Sequence, residues 1–202
     1  LVGETFEDQP FWGMDNVTIV PPDLANDSWA VDAVAACMGS DIVSGYPDGL
    51  YRPQVKVTRD QMAAFVARAA VGGDSAVPES MKGATFNDVD SGNWAYDYVR
   101  YTSAAGIVQG YSDGSYQPAW TVTRGQMAAF IARSIASPQG DEGLAGYQAP
   151  ATPTFNDVAS DSWCYRYVEY LADQGVVTGY GDATYRPADE VTRDQLAVYI
   201  AS

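Results

Sequence analysis

The sequence predicts a mainly α fold in which three helix-loop-helix repeats share a central three-helix bundle, preceded by an extended N-terminal arm. Three observations carry this expectation. Segments Trp29 to Arg59, Trp94 to Arg124 and Trp163 to Arg193 span the same 31 positions, at offsets of 65 and 69 residues, and self-similarity of this kind marks a repeat architecture. Each unit contains a Val-Thr-Arg-x-Gln helix start. Behind each start runs a nearly apolar, Ala-rich stretch such as Met62-Ala63-Ala64-Phe65-Val66-Ala67, which needs burial on most sides and allows close helix contacts. The resulting plan places the arm at 1–20, the repeats at 21–70, 85–136 and 154–202, and linkers at 71–84 and 137–153, the second rich in Gly, Pro, Ala and Ser.

Within a unit the elements follow in a fixed order. A turn opens the repeat, Phe86-Asn87-Asp88-Val89 in the second and Phe155-Asn156-Asp157-Val158 in the third. Trp94, Tyr98, Tyr101, Thr102 and Ala105 then recur at helical spacing, which predicts an amphipathic first helix. Gly106 and Gly175 end it as left-handed C-caps, and Asp41 stands there in the first repeat, a residue type that tolerates the same backbone. Tight loops come next: Gly45-Tyr46-Pro47-Asp48-Gly49, Gly110-Tyr111-Ser112-Asp113-Gly114 and Gly179-Tyr180-Gly181-Asp182-Ala183. The second helix starts with Thr58, Thr123 or Thr192 as N-cap, and Gln61, Gln126 or Gln195 three residues on completes a capping box. Val57 with Met62, Val122 with Met127, and Val191 with Leu196 have the spacing of hydrophobic staples.

Composition narrows the function classes. A hydrophobic fraction of 47% with 12% aromatics excludes general disorder. No apolar run approaches the ~18 residues of a membrane span, and no signal-peptide pattern opens the chain. Leu1 in place of Met fits a mature product after export, or an excised fragment; the extracellular reading is preferred. The 26 Asp plus Glu against 11 Lys plus Arg give a net charge of −15, which repels a phosphate backbone and removes nucleic acid from the partners. No cofactor is expected; calcium on the acidic surface is a side hypothesis, because solubility alone accounts for the carboxylates. Cys37 and Cys164 form one disulfide or remain two buried thiols. The chain has no His, so histidine-dependent triads and His-ligated zinc are excluded. Carboxylate pairs for glycoside hydrolysis find no support either, because the recurring acids stand in turns and linkers. The chain is read as non-catalytic.

The Phe-x-Asp opening, the helical Trp, the Gly-Tyr-x-Asp-Gly turn and the Val-Thr-Arg start, each occurring in tandem, resemble the S-layer homology repeat over about residues 21 to 202. The resemblance implies a pseudo-threefold prism whose grooves, between neighbouring units, bind secondary cell-wall polymers, often pyruvylated glycans, at a prokaryotic cell surface. Departures are Pro21 where Phe is expected, Ala183 for the turn Gly, and Asp60-Gln61, Gly125-Gln126 and Asp194-Gln195 where the family commonly has Ala-Glu.

The candidate glycan site follows from the repeated polar and aromatic residues. Arg59, Arg124 and Arg193 occupy the first helical position, where the macrodipole disfavours a cation. Either they grip an anionic sugar together with free helix-start amides, or they pair with Asp23, Asp88 and Asp157. Trp29, Trp94 and Trp163 are core fillers or sugar platforms, and Tyr46, Tyr111 and Tyr180 line the grooves. In the arm, Phe6, Phe11, Trp12, Val17 and Ile19 want a docking surface, either on the same chain or on a neighbouring subunit of a homo-oligomer, surface layer or filament. Asn16 and Asn26 sit in glycosylation-type triplets. The leading function is binding of wall or other surface polysaccharide, and the alternative is a self-assembling extracellular subunit.

Overall fold

The computed structural model describes residues 20–25, 28–79 and 83–202. The arm residues Phe6, Phe11, Trp12, Val17 and Ile19, and the triplet positions Asn16 and Asn26, lie outside these. Six α-helices are present among the described residues: α1 (Val31–Gly39), α2 (Arg59–Val71), α3 (Tyr96–Ala104), α4 (Arg124–Ile135), α5 (Tyr165–Asp173) and α6 (Arg193–Ala201), with a short 3-10 turn at Asp74–Ala76. Each repeat contributes two.

The local signals explain where the helices begin and end. Gln61, Gln126 and Gln195 each accept the backbone N–H of the Thr three residues before, at 3.4, 3.1 and 3.1 Å, which anchors the starts of α2, α4 and α6. Where the second helical residue is Asp60 or Asp194, its carboxylate takes the N–H of the following Gln at 2.7 Å. Gly125 has no carboxylate to offer, so Gln126 N–H reaches Thr123 Oγ1 at 3.3 Å. Asp41, Gly106 and Gly175 are left-handed, with φ of 55°, 72° and 74°. The first helices start later than expected. Tyr96 heads α3, and Trp94 stays in the preceding turn, where Asn93 accepts Ala95 N–H on its side chain at 2.8 Å and Tyr96 N–H on its carbonyl at 3.0 Å.

Packing runs between repeats. The second helix of each repeat lies against the first helix of another: α2 on α3, α4 on α5, and α6 on α1, which returns to the beginning of the chain. The three Val-Thr-Arg steps meet at one place. Val57 N–H donates to Val191 O, Val191 N–H to Val122 O, and Val122 N–H to Val57 O, each at 2.9 Å, so three backbone bonds close a ring. The side chains of Val57, Val122 and Val191 are fully buried there, with Met62, Met127 and Leu196 below them.

α2 also packs on α4. At the far end of the second helices Val66, Ile131, Ile135, Tyr199 and Ile200 border a cleft of about 290 Å³. Tyr199, which lines this cleft, accepts a hydrogen bond from Arg124 on its hydroxyl at 2.5 Å. The 137–153 connector is also more than a linker. Leu144 is fully buried, and Tyr147 Oη donates to Asp173 at 2.6 Å.

Candidate functional site

Three seams result, one for each second helix and the repeat it leans on. At each start the first two helical amides, which a solvent-facing helix would leave unpaired, are taken by carbonyls of the adjoining repeat. Arg59 N–H meets Trp120 O and Asp60 N–H meets Pro118 O; Arg124 and Gly125 meet Asp189 O and Pro187 O; Arg193 and Asp194 meet Val55 O and Pro53 O, all at 2.8–3.1 Å. The expected pocket of free amides is therefore filled by the protein itself. These carbonyls also bring negative charge density to a helix end that carries a cation, which offsets the macrodipole penalty.

The arginine side chains complete the closure. Arg59, Arg124 and Arg193 are 4%, 2% and 4% exposed. Their Nε groups donate to Tyr116 O, Tyr185 O and Tyr51 O at 2.7, 2.6 and 2.8 Å. The same tyrosines answer through their hydroxyls, which donate to the carbonyls of Arg59, Arg124 and Arg193 at 2.9, 3.1 and 2.9 Å. Each guanidinium lies over two tyrosine rings of the adjoining repeat and one aromatic of its second helix; for Arg59 these are Tyr111 at 5.0, Tyr116 at 4.6 and Phe130 at 5.5 Å. Such cation–π stacking strengthens when water is excluded. Burial pushes the hydroxyls of Tyr51, Tyr116 and Tyr185 well above the usual phenol value, so they remain donors across the physiological range.

The aspartates do something else. Asp23, Asp88 and Asp157 do not pair with these arginines; each accepts two successive backbone N–H groups of its own repeat, Tyr51 and Arg52, Tyr116 and Gln117, or Tyr185 and Arg186, at 2.7–2.9 Å. The second residue of every pair is left-handed, with φ of 57°, 59° and 59°. The carboxylate thus holds a backbone conformation that a non-glycine residue seldom adopts, and this aims the Tyr carbonyl at the arginine.

Sequence reasoning missed Tyr51, Tyr116 and Tyr185, the largest fully buried side chains. The signal was the recurring Tyr-x-Pro at 51–53, 116–118 and 185–187.

The tryptophans are not core. Trp29, Trp94 and Trp163 are 65%, 57% and 62% exposed, one at each seam. Trp94 Nε1 donates to Asp60 at 3.1 Å, Trp163 lies beside Gly125, and Trp29 borders a cleft against α6. Of the groove tyrosines, Tyr46 and Tyr180 are each covered by a second guanidinium at 4.0 Å, from Arg52 and Arg186. Tyr111 has Gln117 at that position instead; it is 37% exposed and its ring is 6.4 Å from that of exposed Trp120. The first seam therefore shows the widest aromatic face. The structure brings the candidate arginines and tyrosines together, places a tryptophan at each seam, and sets the aspartates behind them.

Cys37 and Cys164 are both buried free thiols, so of the two alternatives the pair of thiols is found. Among the described residues no group of three or more His, Cys, Asp or Glu side chains is placed to hold a metal ion, and no helix is long and apolar enough to cross a membrane.

The fold and seams define a class: a helical repeat protein whose units are fastened to one another around a closed circuit. The family follows from comparison. The S-layer homology domain matches at residues 22–63, 85–128 and 154–197, and the chain belongs to that family. Among relatives, it is 26% identical over 158 residues to Cell surface glycoprotein 1 of Acetivibrio thermocellus, covering 77% of this chain and 7% of that protein. It is 26% identical over 162 residues to the Cellulosome-anchoring protein of the same organism, covering 78% of this chain and 34% of that one. It is 28% identical over 178 residues to an Amylopullulanase of Thermoanaerobacterium thermosulfurigenes, covering 86% and 9%. The chain spans about a third of the length of these relatives or less, and the third shows the module attached to an enzyme.

Proposed function

We propose that this chain is a non-catalytic anchoring module that attaches to the bacterial cell envelope by binding wall polysaccharide in the three seam grooves. The observation that carries this is the tryptophan at each seam, more than half exposed where a core role would have buried it. A flat indole face offers large contact area to the C–H faces of sugars at small entropic cost. The buried arginines act through the tyrosines they hold, Tyr46, Tyr111 and Tyr180, at the same seams. Family membership and the surface and anchoring relatives support the same reading.

The test is affinity for purified wall polysaccharide, followed by indole fluorescence in single Trp29→Ala, Trp94→Ala and Trp163→Ala variants. The side chains are exposed, so folding should persist in each. Each loss is expected to weaken binding about tenfold where its groove is occupied, as for an aromatic anchor at an interface. Undiminished affinity in the triple variant would overturn the reading.

A further inference from the structure

The three seams also differ where their second helices end. At the first, Arg68 at the end of α2 donates to Asp74 at 2.8 Å and to Tyr98 Oη on α3 at 3.0 Å, and Tyr98 Oη also bonds Asp74. The second repeats the arrangement: Arg133 donates to both Asp141 oxygens at 2.9 and 3.0 Å and to Tyr167 Oη at 2.8 Å, and Tyr167 Oη donates to Asp141 at 2.7 Å. Each guanidinium also lies over the tyrosine ring, at 4.9 and 4.8 Å. Partial burial would raise the Asp74 and Asp141 carboxyls, but the hydrogen bonds from the tyrosine and arginine outweigh it and hold both below their ordinary value, so the clamps stay charged at neutral pH.

Among the described residues the third seam, α6 on α1, has no such clamp. Ser202 stands where the other seams have Arg, nine residues beyond Arg193, and Ala33 stands where they have Tyr. A cleft of about 360 Å³ lies there, bordered by Trp29, Asp32, Ala33, Ala36, Val198 and Ser202. This seam also joins repeats that are not consecutive in the chain. When it opens, the two faces exposed are complementary to each other, and therefore to the opposite faces of a second copy.

We infer that the α6–α1 seam is the opening point of the circuit, and that two copies of the chain exchange there, the α1 face of one seating on the α6 face of the other. The contacts exchanged are the same as those closed within one chain, so reciprocal exchange restores every seam bond and closes a dimer. One-way exchange leaves a face free at each end and extends head to tail. This inference is independent of the glycan reading.

The two thiols make the difference measurable. Cys37 on α1 contacts Ala197 O of α6 at 3.5 Å across the third seam, and burial pushes its thiol up to about 11. Cys164 is buried at the second seam, its sulfur 3.4 Å from where a Cβ on Gly125 would lie. Both need an opening before a disulfide reagent can reach them. In sub-denaturing urea Cys37 is expected to react roughly tenfold faster than Cys164, a ratio that corresponds to about 1.4 kcal/mol. Arg133→Gln, which removes the clamp of the second seam, is expected to raise the Cys164 rate and leave that of Cys37 unchanged. Two differently tagged populations incubated together at high concentration should then co-purify on one tag. Equal thiol rates overturn the inference about the opening point. Faster Cys37 labelling without co-purification at any concentration overturns the exchange between copies.

Discussion

Arg124→Ala is expected to destabilise the protein by about 3–5 kcal/mol, the sum of two acceptors left unpaired and a void among aromatic rings. The guanidinium is 2% exposed and donates to Tyr185 O at 2.6 Å and Tyr199 Oη at 2.5 Å. Three rings pack around it, those of Tyr180, Tyr185 and Tyr199, at 4.9, 4.5 and 5.6 Å. Lysine retains the charge, but its single ammonium cannot reproduce the planar fork that meets acceptors in two directions while stacking on flat faces. Arg124→Lys should therefore recover less than half of the loss. Urea unfolding checks both variants; a change below about 1 kcal/mol for alanine would mean that the arginine is not a fastener.

The second large effect is expected in a single turn. Gly179 has φ of 68°, and a Cβ there would lie 2.3 Å from the Phe155 ring and 2.8 Å from Thr184 O. Gly179→Ala should cost about 2–4 kcal/mol, combining left-handed strain with overpacking against atoms that cannot easily move. Two residues on, Gly181 has open space around it, and Gly181→Ala should be neutral or slightly stabilising. Ala183 in the same loop has φ of 59° where the other repeats have Gly49 and Gly114 at 80° and 81°, so Ala183→Gly should stabilise by up to about 1 kcal/mol. Thermal unfolding of these three variants separates steric causes from conformational ones.

The same turn shows how much the sequence reveals. The Phe of the repeat opening covers the Gly of the turn, Phe86 over Gly110 and Phe155 over Gly179, with ring centroids 5.2 and 5.4 Å from those of Tyr116 and Tyr185. Where Pro21 replaces the Phe, a Cβ at Gly45 would meet only Leu50 backbone, at 3.0 Å for its O. The repeat, the helix starts and the left-handed C-caps were readable because each depends on residues within a few positions of one another. Thr123 and Gln126, or Gly106 at the end of its helix, contain their own explanation. The destination of each arginine was not readable. Arg59 looks equally suited to Asp23 or to a ligand until the fold brings Tyr116 against it, a contact across 57 residues of sequence. The aspartates were misassigned for a related reason: holding Gln117 in a left-handed conformation just before Pro118 runs against the local preference of a residue preceding proline, so nothing nearby announces it. The exposure of the tryptophans depends on turns such as the one at Asn93, which delay the start of the first helix until the aromatic has been passed.

In the proposed account the seams are where fold and function meet: arginines and tyrosines close them, and exposed tryptophans stand beside them. The most direct measurement of that account is co-sedimentation of the protein with purified bacterial wall sacculi, before and after chemical removal of the secondary polysaccharide from the peptidoglycan. The account predicts that the protein pellets with intact walls and stays in the supernatant with stripped ones. Equal pelleting with both, or with neither, would contradict it.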